Sequence, residues 1–368
     1  MKRAVIILPT FNEAGNIEKI IPHIFEVVQR LENWEIHVIV VDSNSPDGTE
    51  KAVTKLIKTY SRLHLVRMKK EGLGRAYTLG FQMAIEKLNP YLIFEMDADL
   101  SHDPRSIPQF LKEIEKGADF VIGSRYIKGG SIPHNWGLHR KIFSIFGNLV
   151  VRFGFMNLKI ADWTDGYRAI KSWVIKGAQN QIKNYSGYVF QIALLDYAIK
   201  AKARIKEIPV QFTERQSGKS KINAIHYVIT IFLYIFQHSS FIKFVIVGSI
   251  GFIIDFGLSF ILIEKKHLNL WVATLFSTEA AIISNFLLNN FWSFSHKKLD
   301  QNLKSYIPSF VKFNIVSSGS ILIQTVGVQV AAIIFGRKLW YIYKVFIIFF
   351  IVIPYSYILY NRFIWKEK

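Results

Sequence analysis

"YLIFEMDADLSHDP", residues 91–104, decides the fold. Leu92, Ile93 and Phe94 make a short apolar run bounded by polar residues, the pattern of a buried strand. The run ends in two aspartates one residue apart, Asp97 and Asp99, with Ser101 and His102 just beyond. Carboxylates at that spacing either hold a metal ion against a charged substrate or close a strand and open a turn. The tripeptide alone fits both.

Working outward, similar runs stand at 4–10 ("AVIILPT"), 36–42 ("IHVIVVD"), 63–68 ("LHLVRM") and 119–126 ("DFVIGSRY"). Helical spacing fills the gaps: Ile17, Ile20, Ile21, Ile24, Val28 and Leu31, then Ile107, Phe110, Leu111 and Ile114. Strands alternating with helices predict an α/β domain with a mostly parallel sheet covered on both faces. In such sheets a ligand binds beyond the carboxyl ends of the strands. Three polar motifs fall at those ends: Pro9-Thr10-Phe11-Asn12-Glu13, Asp42 to Gly48, and Asp97-Ala98-Asp99. Each alone has a plain reading as turn or cap chemistry; together at one sheet edge they predict a site. "EGLGRAYTLG" (71–80) has the glycines of a phosphate loop but neither the position nor the lysine-serine ending, and reads as a closely packed helix start.

Composition divides the chain of 368 residues near its middle. Residues 1 to 220 mix charged and apolar residues, and from 241 onward long apolar runs dominate. Segments 241–263, 270–294, 311–335 and 340–362 are each long enough to cross a bilayer, which takes roughly 20 residues. Aromatic residues at or near their ends (Trp271, Trp292, Tyr306, Trp340, Tyr341, Trp365) suit an interfacial belt. Asp255, Glu279 and Lys344 within these spans are expected to face the bundle interior or a hydrated cavity. Asn285, Asn289 and Asn290 are expected to make hydrogen bonds between helices. "MKRAVIILP" has too short an apolar run for a signal peptide and reads as a first strand. A large untranslocated domain then predicts that residues 1–220 face the cytosol.

Two further apolar stretches do not span. Residues 137–153 and 221–238 read as helices lying in the membrane interface, with bases such as Arg140, Lys141 and Arg152 towards headgroups. A fifth crossing by the second stretch is the competing view. The formal charge of +19 calls for an anionic partner. Nucleic acid is excluded, because the bases are scattered around spans and loops without a binding motif. With no cysteine, disulfides, thiol nucleophiles and cysteine zinc sites are excluded too.

The chemistry that needs Asp-x-Asp at a sheet edge is transfer from a nucleotide diphosphate, with Mg²⁺ or Mn²⁺ neutralising the leaving group. Asp97 and Asp99 are its ligands on this reading, and Ser101 offers a weak third oxygen. The ordered set "ILPTFNE", "VDSNSPDGT", "MDADLSHDP", "GSRYIKGG", "TDGYRAI" and "ERQSGKSKI" resembles the dolichyl-phosphate mannose synthases, inverting family-2 glycosyltransferases of the GT-A fold. "FIKFVIVGSIGFIIDFG" and "NFLLNNFWSF" resemble the GtrA-like four-helix membrane domain that accompanies such enzymes in prokaryotes. The resemblance implies a GT-A, Rossmann-like catalytic domain followed by an all-α bundle, in a prokaryotic plasma membrane. It also implies that GDP-mannose and dolichyl or polyprenyl phosphate are the substrates. Pro9, Thr10, Asn12, Glu13, Asp42 and Asp97 would contact the nucleotide. Arg125, Arg140, Arg215, Lys219 and Ser220 would meet the lipid phosphate, and Asp165 would handle the sugar or the acceptor side; a helix cap before Tyr167 is its plain alternative. One departure stands out: the family pairs two aspartates after the second strand, and here Ser43 follows Asp42. A UDP-sugar donor giving a glucosyl or N-acetylhexosaminyl lipid therefore stays open, as does a non-catalytic lipid carrier or flippase.

Overall fold

The computed structural model describes residues 1–133, 135–214, 224–300 and 302–366. The chain forms two compact units, Met1–Tyr234 and Ile235–Lys368.

The first unit is built on a seven-stranded sheet in the order β3-β2-β1-β4-β6-β5-β7. The strands are β1 (Lys2–Thr10), β2 (Trp34–Asp42), β3 (Leu63–Arg67), β4 (Leu92–Glu95), β5 (Phe120–Ser124), β6 (Arg168–Lys171) and β7 (Ile205–Pro209). The helices are α1 (Ala14–Val28), α2 (Thr49–Ile57), α3 (Leu73–Leu88), α4 (Ile107–Glu115), α5 (Leu138–Gly154), α6 (Ser172–Ile182), α7 (Val189–Lys200) and α8 (Ala224–His238), the last running past the division between units. Ala4 to Leu8 of β1 are fully buried, as a central strand covered on both faces requires. On one face they meet Ile17, Ile20, Ile21 and Ile24, the stripe expected for α1. Truncating one such side chain to alanine costs about 2–5 kcal/mol.

Sequence pattern located β1 to β5 but not β6 or β7. β6 reads "RAIK" and β7 "IKEIP", too short and too charged to stand out from loop. β6 is also antiparallel to both β4 and β5. Its amino end therefore lies beside their carboxyl ends and carries "ADWTDGYR" to the same edge as Asp97 and Asp99. The register places Arg168 directly opposite Glu95.

The second unit holds four helices long and apolar enough to cross a membrane: Ser240–Lys265, Leu270–Ser293, Leu303–Phe335 and Ile342–Phe363. The third starts at Leu303, ahead of the 311 expected, where the Asn302 side chain caps it by accepting from Ser305 N–H, and Pro308 lies inside it. Asp255 accepts hydrogen bonds from Ser277 (2.7 Å) and Thr278 (3.1 Å) of the neighbouring helix. Glu279 and Lys344, by contrast, stand on exposed faces of the unit rather than in its interior. Lys344 lies close to a helix end, within reach of an interface by snorkelling. Asn290 links elements as expected, donating to Tyr306 and accepting from Leu299 N–H and the Trp365 indole. Asn285 and Asn289 are placed differently: among the described residues their amide oxygens find no donor.

Candidate active site

A cavity of about 550 Å³ opens at the carboxyl edge of the first unit's sheet. Pro9, Thr10, Phe11 and Glu13 reach it from the end of β1, Ser43 from β2, and Asp97 and Asp99 from β4. Lys70, the start of α3, the strap 184–189 and Thr230 complete the lining. Gly72 and Gly74 let the wall close: a Cβ on either would lie within 2.4 Å of a strap carbonyl oxygen, Ser186 for Gly72 and Tyr185 for Gly74. Gly74 N–H donates to Ser186 O at 2.8 Å. These glycines thus serve close packing at a helix start, as expected of "EGLG".

The β1 and β2 motifs are knitted to each other. Asp42 accepts from Thr10 Oγ1 (3.0 Å), Ser45 Oγ (2.6 Å) and Ser45 N–H (3.0 Å). Asn12 takes a left-handed φ of 58° and donates its N–H to Ser45 Oγ. Glu13 N–H donates to Thr49 Oγ1 and Ala14 N–H to Asp47. Asp42 and Asn12 are not among the residues lining the cavity; they brace the loops that present Thr10, Phe11 and Ser43.

At the end of β4 the two aspartates differ. The Asp97 side chain is 35% exposed, while Asp99 is buried and receives the Ser101 hydroxyl (2.6 Å) and N–H (3.1 Å) on one oxygen. Ser101 thus orients Asp99 and does not itself line the cavity. His102 is buried and stacks on Tyr167. Its Nδ1 accepts the Asp97 N–H at 3.0 Å, so the neutral ring carries its proton on Nε2. That nitrogen faces Asp165 at 3.8 Å and Asp97 at 4.0 Å. Nothing in the spacing of "DADLSH" singles out His102 for this position.

Beyond β5 lies a sealed ion cluster. Arg125 grips Asp162 with Nε (2.8 Å) and NH2 (2.9 Å), donates to Thr164 Oγ1, and approaches Asp165 at 3.2 Å. Its guanidinium is therefore engaged by acids and stands off the cavity wall. Burial opposes its charge, yet the two carboxylates hold Arg125 above the usual arginine range. Burial alone would raise Asp162, but Arg125 and the surrounding N–H donors hold it low. Asp165 moves the other way, raised by burial against the pull of Arg125 and His102. Its Oδ1 accepts from Tyr167 N–H at 2.7 Å, and a strand follows, not the helix that a cap would need. Asp162 was not singled out from sequence, although it lies three residues before Asp165 in the same motif.

Beneath the aspartates, Glu95 is wholly buried, and among the described residues neither of its carboxylate oxygens meets hydrogen-bond geometry. Burial, offset in part by Arg168 at 3.8 Å, pushes it up to about 7. Arg168 spends its donors on the carbonyls of Asp165, Gln191 and Trp163, tying that loop to α7. Arg140, on α5, lies over the Trp136 ring at 4.0 Å and reaches Glu214 at 3.4 Å. Arg215, Lys219 and Ser220 lie outside the described residues. On α5 itself Leu138, Ile142, Phe143 and Phe146 are exposed.

Residues 5–175 match the family described as Glycosyl transferase family 2, and residues 243–365 the GtrA/DPMS transmembrane domain. The chain is 33% identical over 331 residues to the dolichol-phosphate mannosyltransferase of Pyrococcus furiosus, covering 86% of this chain and 87% of that protein. It is 36% identical over 224 residues to the polyprenol monophosphomannose synthase of Mycolicibacterium smegmatis, covering 60% and 82%. A solved structure of glucosyl-3-phosphoglycerate synthase from Mycobacterium tuberculosis, in complex with Mn²⁺, UDP-glucose and phosphoglyceric acid, aligns with TM-score 0.47 and 17% identity over 64% of this chain and 79% of that one. The chain is a multi-pass membrane glycosyltransferase with a GT-A-like catalytic unit, and it belongs to glycosyl transferase family 2, in the group that carries a GtrA/DPMS transmembrane domain.

Proposed function

We propose that the chain transfers mannose from GDP-mannose to dolichyl or another polyprenyl phosphate, releasing GDP. The observation that carries this reading is the shared cavity: Asp97 and Asp99 line it together with Thr10, Phe11 and Ser43. Its volume of about 550 Å³ suits one nucleotide-sized ligand. The names of the relatives support mannose and a polyprenyl phosphate.

The donor set fits a divalent cation completed by substrate. Among the described residues no three His, Asp or Glu side chains gather to hold a metal unaided. Mg²⁺ or Mn²⁺ characteristically takes one or two carboxylates and draws its other oxygens from phosphate and water. Asp97 and Asp99 would hold it, with Ser101 fixing Asp99, and the bound cation would offset the charge of the departing diphosphate.

The remaining work falls to the chain's own side chains. A lipid phosphate is largely anionic near neutrality, its second pKa being about 6, so it needs orientation rather than a strong base. One of its oxygens bonds to the anomeric carbon as the bond to the diphosphate breaks, the diphosphate leaving with the electron pair and the configuration inverting. Arg140 is the described base best placed to orient that phosphate, with Arg215, Lys219 and Ser220 as further candidates. Arg125 acts from behind, holding Asp165 against His102 and through it the Asp97 backbone. The exposed apolar residues of α5 support its lying in the membrane interface.

Ser43, which departs from the family's second aspartate and lines the cavity, leaves one other reading open, a UDP-sugar donor. Incubating the purified protein with dolichyl phosphate and radiolabelled GDP-mannose or UDP-glucose, then identifying the lipid product, tests both. Mannosyl lipid from GDP-mannose is the expected result; glucosyl lipid alone moves the assignment to the second reading.

A further inference from the structure

The first two spans of the second unit meet along a polar seam that the transfer reaction does not use. Asp255 stands on the first span, about 15 Å along the helix axis from its end at Lys265. A carboxylate at that depth is costly, and among the described residues no lysine, arginine or histidine pairs with it. Its partners are hydroxyls. Ser277 Oγ lies 2.7 Å and Thr278 Oγ1 3.1 Å from Asp255 Oδ1. Ser277 Oγ also lies 2.6 Å from Ser259 Oγ and 3.0 Å from the Thr274 carbonyl oxygen.

The cluster is short of hydrogen. Of its five oxygens only the hydroxyls of Ser259, Ser277 and Thr278 carry one. Ser277 is wholly buried, and its single hydrogen faces two acceptors, Asp255 and the Thr274 carbonyl. It serves one of them at a time. Gly251, one turn before Asp255, lets the two helices close on the seam: a Cβ there would lie 2.3 Å from the Asn285 amide. Asn285, Asn289 and Ser293 then follow Ser277 along the second span at intervals of about one turn. Each has a buried polar atom without a partner among the described residues.

We propose that Asp255, Ser259, Ser277, Thr278 and the Thr274 carbonyl form a binding site for a small monovalent cation, sodium being the type. A cation takes lone pairs where hydrogens are too few, and hard cations take carboxylate, hydroxyl and carbonyl oxygens. Charge sets the valence. One carboxylate offsets one positive charge, so a monovalent ion leaves the site neutral in the bilayer and a divalent ion does not. The site thus differs from the paired carboxylates Asp97 and Asp99. Its ligands come from both helices, so a bound ion ties the first span to the second and stabilises the fold by linkage.

The test measures retention of radiolabelled sodium by the full chain in lipid nanodiscs, in competition with unlabelled NaCl. N-methyl-D-glucamine chloride holds total salt at about 150 mM, so that screening stays constant. The wild type is expected to retain sodium saturably, about one ion per chain, with a Tm that rises as sodium replaces the organic cation. Asp255→Asn keeps the shape and drops the charge; it should weaken retention at least about tenfold and abolish the sodium dependence of Tm. Ser277→Ala gives an independent reading should that variant not fold. It removes the hydroxyl at the centre of the cluster and should weaken sodium about tenfold. A wild type without saturable retention overturns the proposal and leaves a proton to neutralise Asp255. Retention unchanged in both variants places the ion elsewhere and overturns it as well. Displacement of sodium by a much lower concentration of Mg²⁺ overturns the monovalent assignment.

Discussion

One sheet edge carries acids in two opposite conditions. At the end of β4, Asp97 keeps a third of its side chain exposed at a cavity wall. At the entry to β6, Asp162 and Asp165 have fully buried side chains, closed over by Arg125. An accessible carboxylate can exchange water for a metal, whereas a sealed one is already compensated and its removal strands a buried cation. Residue type and edge are the same in both places; burial and partner separate binding from bracing.

The largest test of this contrast is at the open end. Asp97→Ala should lower transfer at least about a thousandfold, the scale of losing a charge-stabilising contact to the leaving group. Its unfolding midpoint should barely move. Near-normal lipid product with Mg²⁺ or Mn²⁺ present would break the metal assignment. At the sealed end the costs reverse. Asp162→Ala leaves Arg125 without its two-pronged partner and should cost about 3–5 kcal/mol of stability. Chemical denaturation of the detergent-solubilised full chain reads it. If Asp162→Ala proves no less stable than Asp97→Ala, the distinction between the two ends fails.

The sequence made the open end legible and hid the sealed one, for a physical reason. Asp97 and Asp99 follow a buried run, so strand periodicity alone delivers them to a carboxyl edge. Asp162 and Arg168 reach the edge only because β6 runs antiparallel, and nothing in "RAIK" announces a strand, still less its direction. Arg125 was legible as a functional base, but its commitment to Asp162 is a pairing across 37 residues that spacing does not encode. Glu95 carries no signal of its own within the run "YLIFEMD". Its cost appears only once Arg168 is seen opposite it without a direct hydrogen bond.

Glu95 sharpens the comparison between the two ends, since it lies buried beneath the open one. Burial raises its carboxyl from 4.5 to about 7, so between those values the folded metal-free chain holds a proton that the unfolded chain has released. The contribution to stability is full below about pH 4.5, falls as pH rises towards 7, and is flat above. Over that window the wild type should lose up to about 3 kcal/mol relative to Glu95→Gln, which does not titrate. Parallel curves for the two proteins across the window would show that Arg168 compensates Glu95 more fully than a 3.8 Å separation suggests.

The smallest stability effect belongs to Arg140, the counterpart of Arg125 outside the sealed cluster. Its contacts include an exposed carboxylate at 3.4 Å and the face of Trp136 at 4.0 Å. Ion pairs in such settings contribute at most about 1 kcal/mol, so Arg140→Ala should unfold within that margin of the wild type. Its effect should appear instead in turnover, as a severalfold higher KM for lipid phosphate with GDP affinity unchanged, since the proposed function assigns Arg140 to the acceptor and not to the nucleotide. Arg125→Ala should show the reverse balance, losing stability first and activity as a consequence. If Arg140→Ala weakens GDP binding, the basic residue belongs to the donor side and α5 closes over the nucleotide. If both variants alter KM alone, the ion cluster is looser in solution than its bidentate geometry implies, and Arg125 regains a direct part in binding the acceptor.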